Sequence, residues 1–167
     1  MGDRVTEAGT LWLDYPSVGG PSPNVDVAAE PESAEYFYRH SLWSEGGIGW
    51  PWVCYSGAMG LSRIEVHSLG QGVYTVRLYF AEPEVSEPGR RVFSVSLQGK
   101  EVLGALDVAK ESGGAMRCLV KEFTQVEVVD GLRVDLTAEA GSTVLSGVEI
   151  VRDGLPLDSI EEQTPAR

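Results

Sequence analysis

The residues of this chain best suited to recognition chemistry are aromatic and lie close together. In LWSEGGIGWPWVCYSG, residues 42–57, Trp43, Trp50, Trp52 and Tyr55 are interleaved with Gly46, Gly47, Gly49 and Pro51. Sugar rings present flat faces of polarised C–H groups. An aromatic ring stacks on such a face, sheds water and leaves the hydroxyl rim free for polar contacts. Trp43, Trp50 and Tyr55 have that chemistry, on a loop whose glycines let a ligand approach the backbone. Arg39, His40, Glu45 and Asp14 could hydrogen-bond hydroxyls. Trp12 and Tyr15, beside PSVGGPSP, form a second candidate contact patch. Packing is the competing use of such residues, because tryptophan is highly buried on average. Trp52-Val53-Cys54-Tyr55 reads as a strand with Trp52 and Cys54 on one face. The expectation is that Trp52 belongs to the core, while Trp43 and Trp50, beside the glycines, reach the surface.

Reactive groups are scarce. The two histidines are His40 and His67, and no HxxxH, CxxC, GxSxG or phosphate-cradling glycine motif occurs. Glu82 could be imagined as a glycosidase acid, but that chemistry needs a second carboxylate across a cleft, and Glu84 would share the same strand face if the strand continued. A structural carboxylate accepting loop N–H bonds or pairing with Arg90 or Arg91 is the expected role of Glu82, and no catalysis is expected. No cofactor is expected either; a structural calcium on Asp14, Asp26, Asp107 or Asp153 is a weaker alternative to solvated surface charge. Cys54 and Cys118 are expected as buried free thiols. A disulfide, which would close a long loop and suit an oxidising compartment, is the alternative.

Bulk properties narrow the partners. The 167 residues suffice for one domain with a proper core, and the net charge of −12 opposes nucleic acids and anionic membrane surfaces. No window supplies the ~18 apolar residues of a membrane-spanning helix. The start, MGDRVTEAG, lacks the apolar core of a signal peptide.

The elements that must position the aromatics are strands. VYTVRLYF, residues 73–80, alternates Tyr74, Val76, Leu78 and Phe80 against Thr75, Arg77 and Tyr79. SRIEV and RVFSVSL alternate likewise. QG at 98–99 predicts a tight turn with Gly99 at positive φ, and DG at 130–131 predicts a hairpin. TVLSGVEIV, residues 143–151, reads as an inner strand, and no window carries a helical stripe. The expected fold is all-β: a two-sheet antiparallel β-sandwich of jelly-roll or galactose-binding-like type. It spans residues 1–151 as a single domain, with 1–35 irregular and packed on the sandwich, and 152–167 a tail or linker.

The stretch 73–151 resembles the malectin family of carbohydrate-binding domains. The resemblance lies in YTVRLYFAE (74–82), RRVFSVSLQGKEV (90–102), LDV (106–108), VEVVDGLRVDL (126–136) and LSGVEIV (145–151), in order and spacing. It implies a sandwich that binds glucose-type sugars through loop aromatics without catalysis. The positions matching the family's sugar-contacting side chains are Glu84 and Val85, about Gly141, and Arg39-His40, so those side chains largely differ here. The expected function is therefore a non-catalytic carbohydrate-binding module, part of a larger extracellular or periplasmic protein. Its partners would be an oligosaccharide or polysaccharide and the parent's other domains, with no nucleic acid and no membrane. The alternative is an accessory β-sandwich for protein–protein or inter-domain contact.

Overall fold

The computed structural model describes residues 3–7, 9–16, 25–84 and 87–154. Thirteen strands appear in chain order: β1 (Arg4–Val5), β2 (Leu11–Trp12), β3 (Val27–Glu30), β4 (Glu35–Tyr38), β5 (Ser56–Met59), β6 (Arg63–Val66), β7 (Gly72–Phe80), β8 (Val92–Leu97), β9 (Lys100–Leu106), β10 (Leu119–Val128), β11 (Leu132–Ala140), β12 (Val144–Leu145) and β13 (Gly147–Arg152). A 3-10 turn at Ser41–Trp43 and two short helices, α1 (Pro51–Cys54) and α2 (Val108–Ser112), interrupt them. One sheet runs β3-β6-β11-β8-β9; against it stand β10-β7-β13 and β12-β5-β4. All the strand pairings are antiparallel.

Alternation sets the register. The inward residues of β7, Val76, Leu78 and Phe80, are fully buried against Phe93 and Val95 of β8 and Val134 of β11. The Phe80 and Phe93 rings meet across the two layers at 6.0 Å. A one-residue slip would turn each of these side chains to solvent. The expected sandwich is present.

Several local expectations are corrected. Trp52-Val53-Cys54-Tyr55 is not a strand: Pro51–Cys54 is one helical turn, with the proline at its start, where a missing N–H costs nothing. Asp130-Gly131 closes no hairpin, because β10 and β11 belong to different layers. Gly131 is required there by space, since a Cβ would lie 2.7 Å from the Val66 carbonyl. The Gln98-Gly99 turn is as expected, with φ of 52° and 78°. Residues 143–151 split at Ser146: β12 pairs with β5, while β13 is an edge strand on β7. The irregular first 35 residues contain the β1–β2 ribbon, and β3 forms an edge of the larger sheet. Of the expected tail, 152–167, Arg152 ends β13, and residues 155–167 lie outside the described residues.

The cysteines form a disulfide, not two free thiols: Cys54 and Cys118 are bridged with Cα atoms 5.6 Å apart. The sequence offers no local signal for the pairing, because the bridge joins α1 to the start of β10 across 64 positions. Such a link restricts the unfolded chain by about 4 kcal/mol in the loop-entropy treatment. Reduction is expected to lower the stability read from urea unfolding by roughly 2–4 kcal/mol. An unchanged midpoint after confirmed reduction would contradict this role.

Candidate functional site

The site is built outward from β7. Tyr79 points away from the main core, as its alternation demands, yet it is buried. A second, smaller core covers it: Val53, Cys54 and Tyr55 from the α1 segment, Ala81, Cys118, and the flanks of Trp12, Trp52, Met116 and Val120. Trp12 brings the β1–β2 ribbon down edge-on to Tyr79, ring centroids 5.1 Å apart. Gly147 permits this approach; a Cβ there would meet Val53 at 2.6 Å and Trp12 at 3.2 Å. From Trp12 the aromatic contacts continue to Trp52 at 5.7 Å and on to Trp50 at 6.0 Å. The Arg4 guanidinium sits 5.1 Å from the Trp52 ring, within cation–π range.

The loop before α1 is fastened to the chain around Cys118. Cys118 N–H donates to the Gly46 carbonyl, and the Ile48 N–H donates to the Cys118 carbonyl, both at 2.9 Å. Glu45 N–H donates to Met116 O at 2.9 Å, and Arg117 Nη1 donates to Glu45 O at 2.6 Å. Gly47 and Gly49 take φ of 99° and 130°, and a Cβ on Gly47 would lie 2.1 Å from the Cys118 carbonyl. The glycines of this loop thus secure close packing rather than looseness.

The structure divides the expected site residues. Trp43 and Trp50 are exposed, at 63% and 45%, and Leu42 and Ile48 flank them at 84% and 80%. Tyr55 is corrected: it is 1% exposed and cannot stack on a ligand. Its hydroxyl lies 2.8 Å from both Ser44 Oγ and Met116 O, so it braces the loop from below. Trp52 is half-buried, between core and surface. His40 is exposed, and its Nδ1 accepts from the Leu42 N–H at 3.1 Å, shaping the 3-10 turn. Arg39 is half-buried, its N–H donating to the Tyr55 carbonyl at 2.7 Å. Trp12 is half-buried, packed against the second core and edge-on to Tyr79. Tyr15 is exposed and touches Tyr36, centroids 6.3 Å apart. The sequence reading missed Tyr36 and Tyr38, both exposed on β4; the alternation Glu35-Tyr36-Phe37-Tyr38 with Phe37 inward was the available signal.

The loops that carry Glu84 and Ser142 are organised by one cation. Arg91, nearly buried, donates through Nε to Glu82 at 2.6 Å and through Nη1 to the Ser142 carbonyl at 3.0 Å. Its Nη2 lies 3.7 Å from Glu84. Glu82 also accepts the Glu84 N–H at 3.1 Å, the structural role expected of it. Gly141, at φ 65°, offers no side chain, and Val85 lies outside the described residues. Asp107 caps α2 by accepting from Lys110 N–H at 3.0 Å, and accepts the Gly89 N–H at 2.5 Å. Asp153 accepts from Thr75 Oγ1 at 2.9 Å. Among the described residues no group of three or more His, Cys, Asp or Glu is placed to hold a metal ion.

Comparison with known proteins bears on this scaffold. The malectin domain model matches residues 63–153. The chain belongs to the malectin domain family. A probable receptor-like protein kinase of Arabidopsis thaliana is 37% identical over 93 residues, covering 47% of this chain and 11% of that protein. Among solved structures, the ANXUR2 extracellular domain from Arabidopsis thaliana superposes with a TM-score of 0.67 at 13% identity, covering 91% of this chain and 46% of that one. A Bacteroides uniformis β-glucuronidase superposes with a TM-score of 0.64 at 18% identity, covering 87% of this chain but 16% of that one. These structural likenesses are of fold. The chain spans about a tenth of its curated relative, and the aromatic loop 41–57 precedes the segment of this malectin domain that the family model matches.

Tyr79 ties the second core to the sheet, donating to Glu149 at 2.8 Å, with Arg77 Nη1 3.3 Å from the same carboxylate. Burial, and then the hydrogen bond and charge of Glu149, push the Tyr79 phenol well above its usual value, only partly offset by Arg77. The folded state therefore holds its proton more tightly than the unfolded chain. This stabilisation is complete below the unfolded tyrosine pKa of about 10 and is lost as pH rises beyond it. Above pH ~10 the wild-type unfolding midpoint should fall more steeply than that of Tyr79→Phe; parallel profiles would contradict the assignment.

Proposed function

We propose that this malectin domain is a non-catalytic carbohydrate-binding module of a larger extracellular protein, with Trp43 and Trp50 as its stacking surface. The observation carrying this reading is that two large aromatic rings stand exposed on a loop held by Cys118 backbone bonds, a disulfide and the Tyr55 brace. Stacking on a prearranged ring avoids most of the ordering cost that weakens binding by mobile loops. His40 and Glu45, both exposed beside the tryptophans in the chain, supply polar partners for hydroxyls. The disulfide suits an oxidising compartment. The extracellular placement also rests on relatives described as ectodomains and receptor-like kinases.

The carboxylates of the Glu82 loop support the non-catalytic reading. Glu82 and Glu84 converge on the one guanidinium of Arg91 instead of facing each other across a gap, so neither is arranged for acid–base work on a glycosidic bond. The likeness to a β-glucuronidase, at 18% identity and 16% of that chain, transfers fold and no reaction.

A second reading, inter-domain or protein–protein contact, is favoured by Leu42 and Ile48, aliphatic side chains that stand out beside the tryptophans. Titration of neutral oligosaccharides followed by tryptophan fluorescence separates the two. Trp43→Ala and Trp50→Ala are each expected to weaken binding by roughly three- to tenfold, the scale of one lost aromatic contact, with melting temperature unchanged. Equal weakening by Leu42→Ala and Ile48→Ala of a protein interaction, with no sugar response, would favour the second reading.

A further inference from the structure

Tyr36 and Tyr38 lie on one face of β4, opposite Phe37, which enters the main core. They are 48% and 56% exposed, and Tyr15 joins them through its contact with Tyr36. The i and i+2 side chains of a strand stand about 7 Å apart, so β4 displays a row of rings and not a single one. This row is tied to the tryptophan surface at two points. Three peptide links separate Tyr15 from Trp12, keeping their backbones within about 11 Å, and Trp12 contacts Trp52, which contacts Trp50. In the other direction β4 runs directly into Arg39 and His40 and the 3-10 turn that presents Trp43.

We propose that Tyr15, Tyr36 and Tyr38 extend the Trp43–Trp50 surface, and that the ligand is an extended, uncharged polysaccharide chain rather than a terminal mono- or disaccharide. This rests on the carbohydrate-binding reading above and specifies its ligand. A tyrosine on an open strand offers a ring face for stacking and a hydroxyl for the sugar rim. It holds that position with little rotamer entropy left to lose. Open display lets a polymer pass in both directions, as an end-binding pocket would not. Charge selects the class of chain. The protein carries a net charge of −12, and the exposed Glu35 and Glu45 border the two sets of rings along the sequence. Carboxylates accept hydroxyl protons but repel uronates and sulfates.

The test uses the intact domain and ladders of malto-, cello- and laminari-oligosaccharides from disaccharide to heptasaccharide, with affinities from calorimetry. Wild-type affinity for the bound series should rise at least tenfold along the ladder. Tyr36→Ala and Tyr38→Ala should remove roughly three- to tenfold at the heptasaccharide and leave the disaccharide unaffected, while Tyr36→Phe keeps most of the gain. Affinity that stays flat with length, or tyrosine variants that bind the heptasaccharide as wild type does, overturns the extension. If Trp43→Ala still weakens binding in that case, the module reading survives. An absence of binding to every ladder and to a neutral-glycan array, or binding indifferent to Trp43→Ala and Trp50→Ala, overturns both. Tighter binding of hyaluronan or polygalacturonate than of neutral chains overturns the charge selection.

Discussion

The backbone around Cys118 is the constraint that fixes the exposed aromatic loop 41–50. It accepts and donates the hydrogen bonds that fix Gly46 and Ile48, its side chain closes the disulfide to α1, and the Met116 carbonyl next to it receives both Glu45 and Tyr55. Without this anchor the segment 41–50, rich in glycine and bearing exposed aromatics, would gain large conformational entropy and hide its apolar rings by collapse. With it, the chain can hold Trp43 and Trp50 in water. The burial that stabilises this arrangement lies one layer beneath, where Val53, Tyr55 and Tyr79 each contribute on the order of 1.5–3 kcal/mol.

Two cores therefore serve two purposes. The inner one, between the layers, is an ordinary packed sandwich interior and sets the register. The outer one sits on the solvent side of β7 and supports the loop that exposes Trp43 and Trp50. Polar residues of that same sheet face, Arg77 and Glu149, are engaged by Tyr79 and by Glu122 of β10. On the rim, Arg91 neutralises Glu82 and holds the loop after β7 against the 142–143 backbone. A buried ion pair of this kind adds little net stability compared with an apolar pair, but it commits two loops to one geometry.

Much of the fold was legible because alternation is a strong signal. Val76, Leu78 and Phe80, and later Val134 and Leu136, lie where period two places them. What alternation could not show was pairing across the layers, so Asp130-Gly131 read as a hairpin although it carries the chain between sheets. The disulfide was illegible for a similar reason: Cys54 and Cys118 become neighbours only when α1 folds over β7. Exposure at the candidate site was half legible. Glycine next to Trp43 and Trp50 marked the surface correctly, but Tyr55 looked like its companions and turned out to brace them from inside, because one helical turn at Pro51 reverses the facing a strand would have given. Tyr36 and Tyr38 were overlooked because a short strand beside a conspicuous tryptophan cluster carries a weak pattern of its own.

Amide hydrogen exchange at Ile48 and Cys118 in the oxidised domain tests most directly whether the aromatic loop is a fixed surface. Protection at both amides should be comparable to that of the β7 amides, because each is a donor in the bonds that join loop to scaffold. Exchange of both at the rate of an unprotected loop, with the disulfide intact and β7 protected, would contradict it.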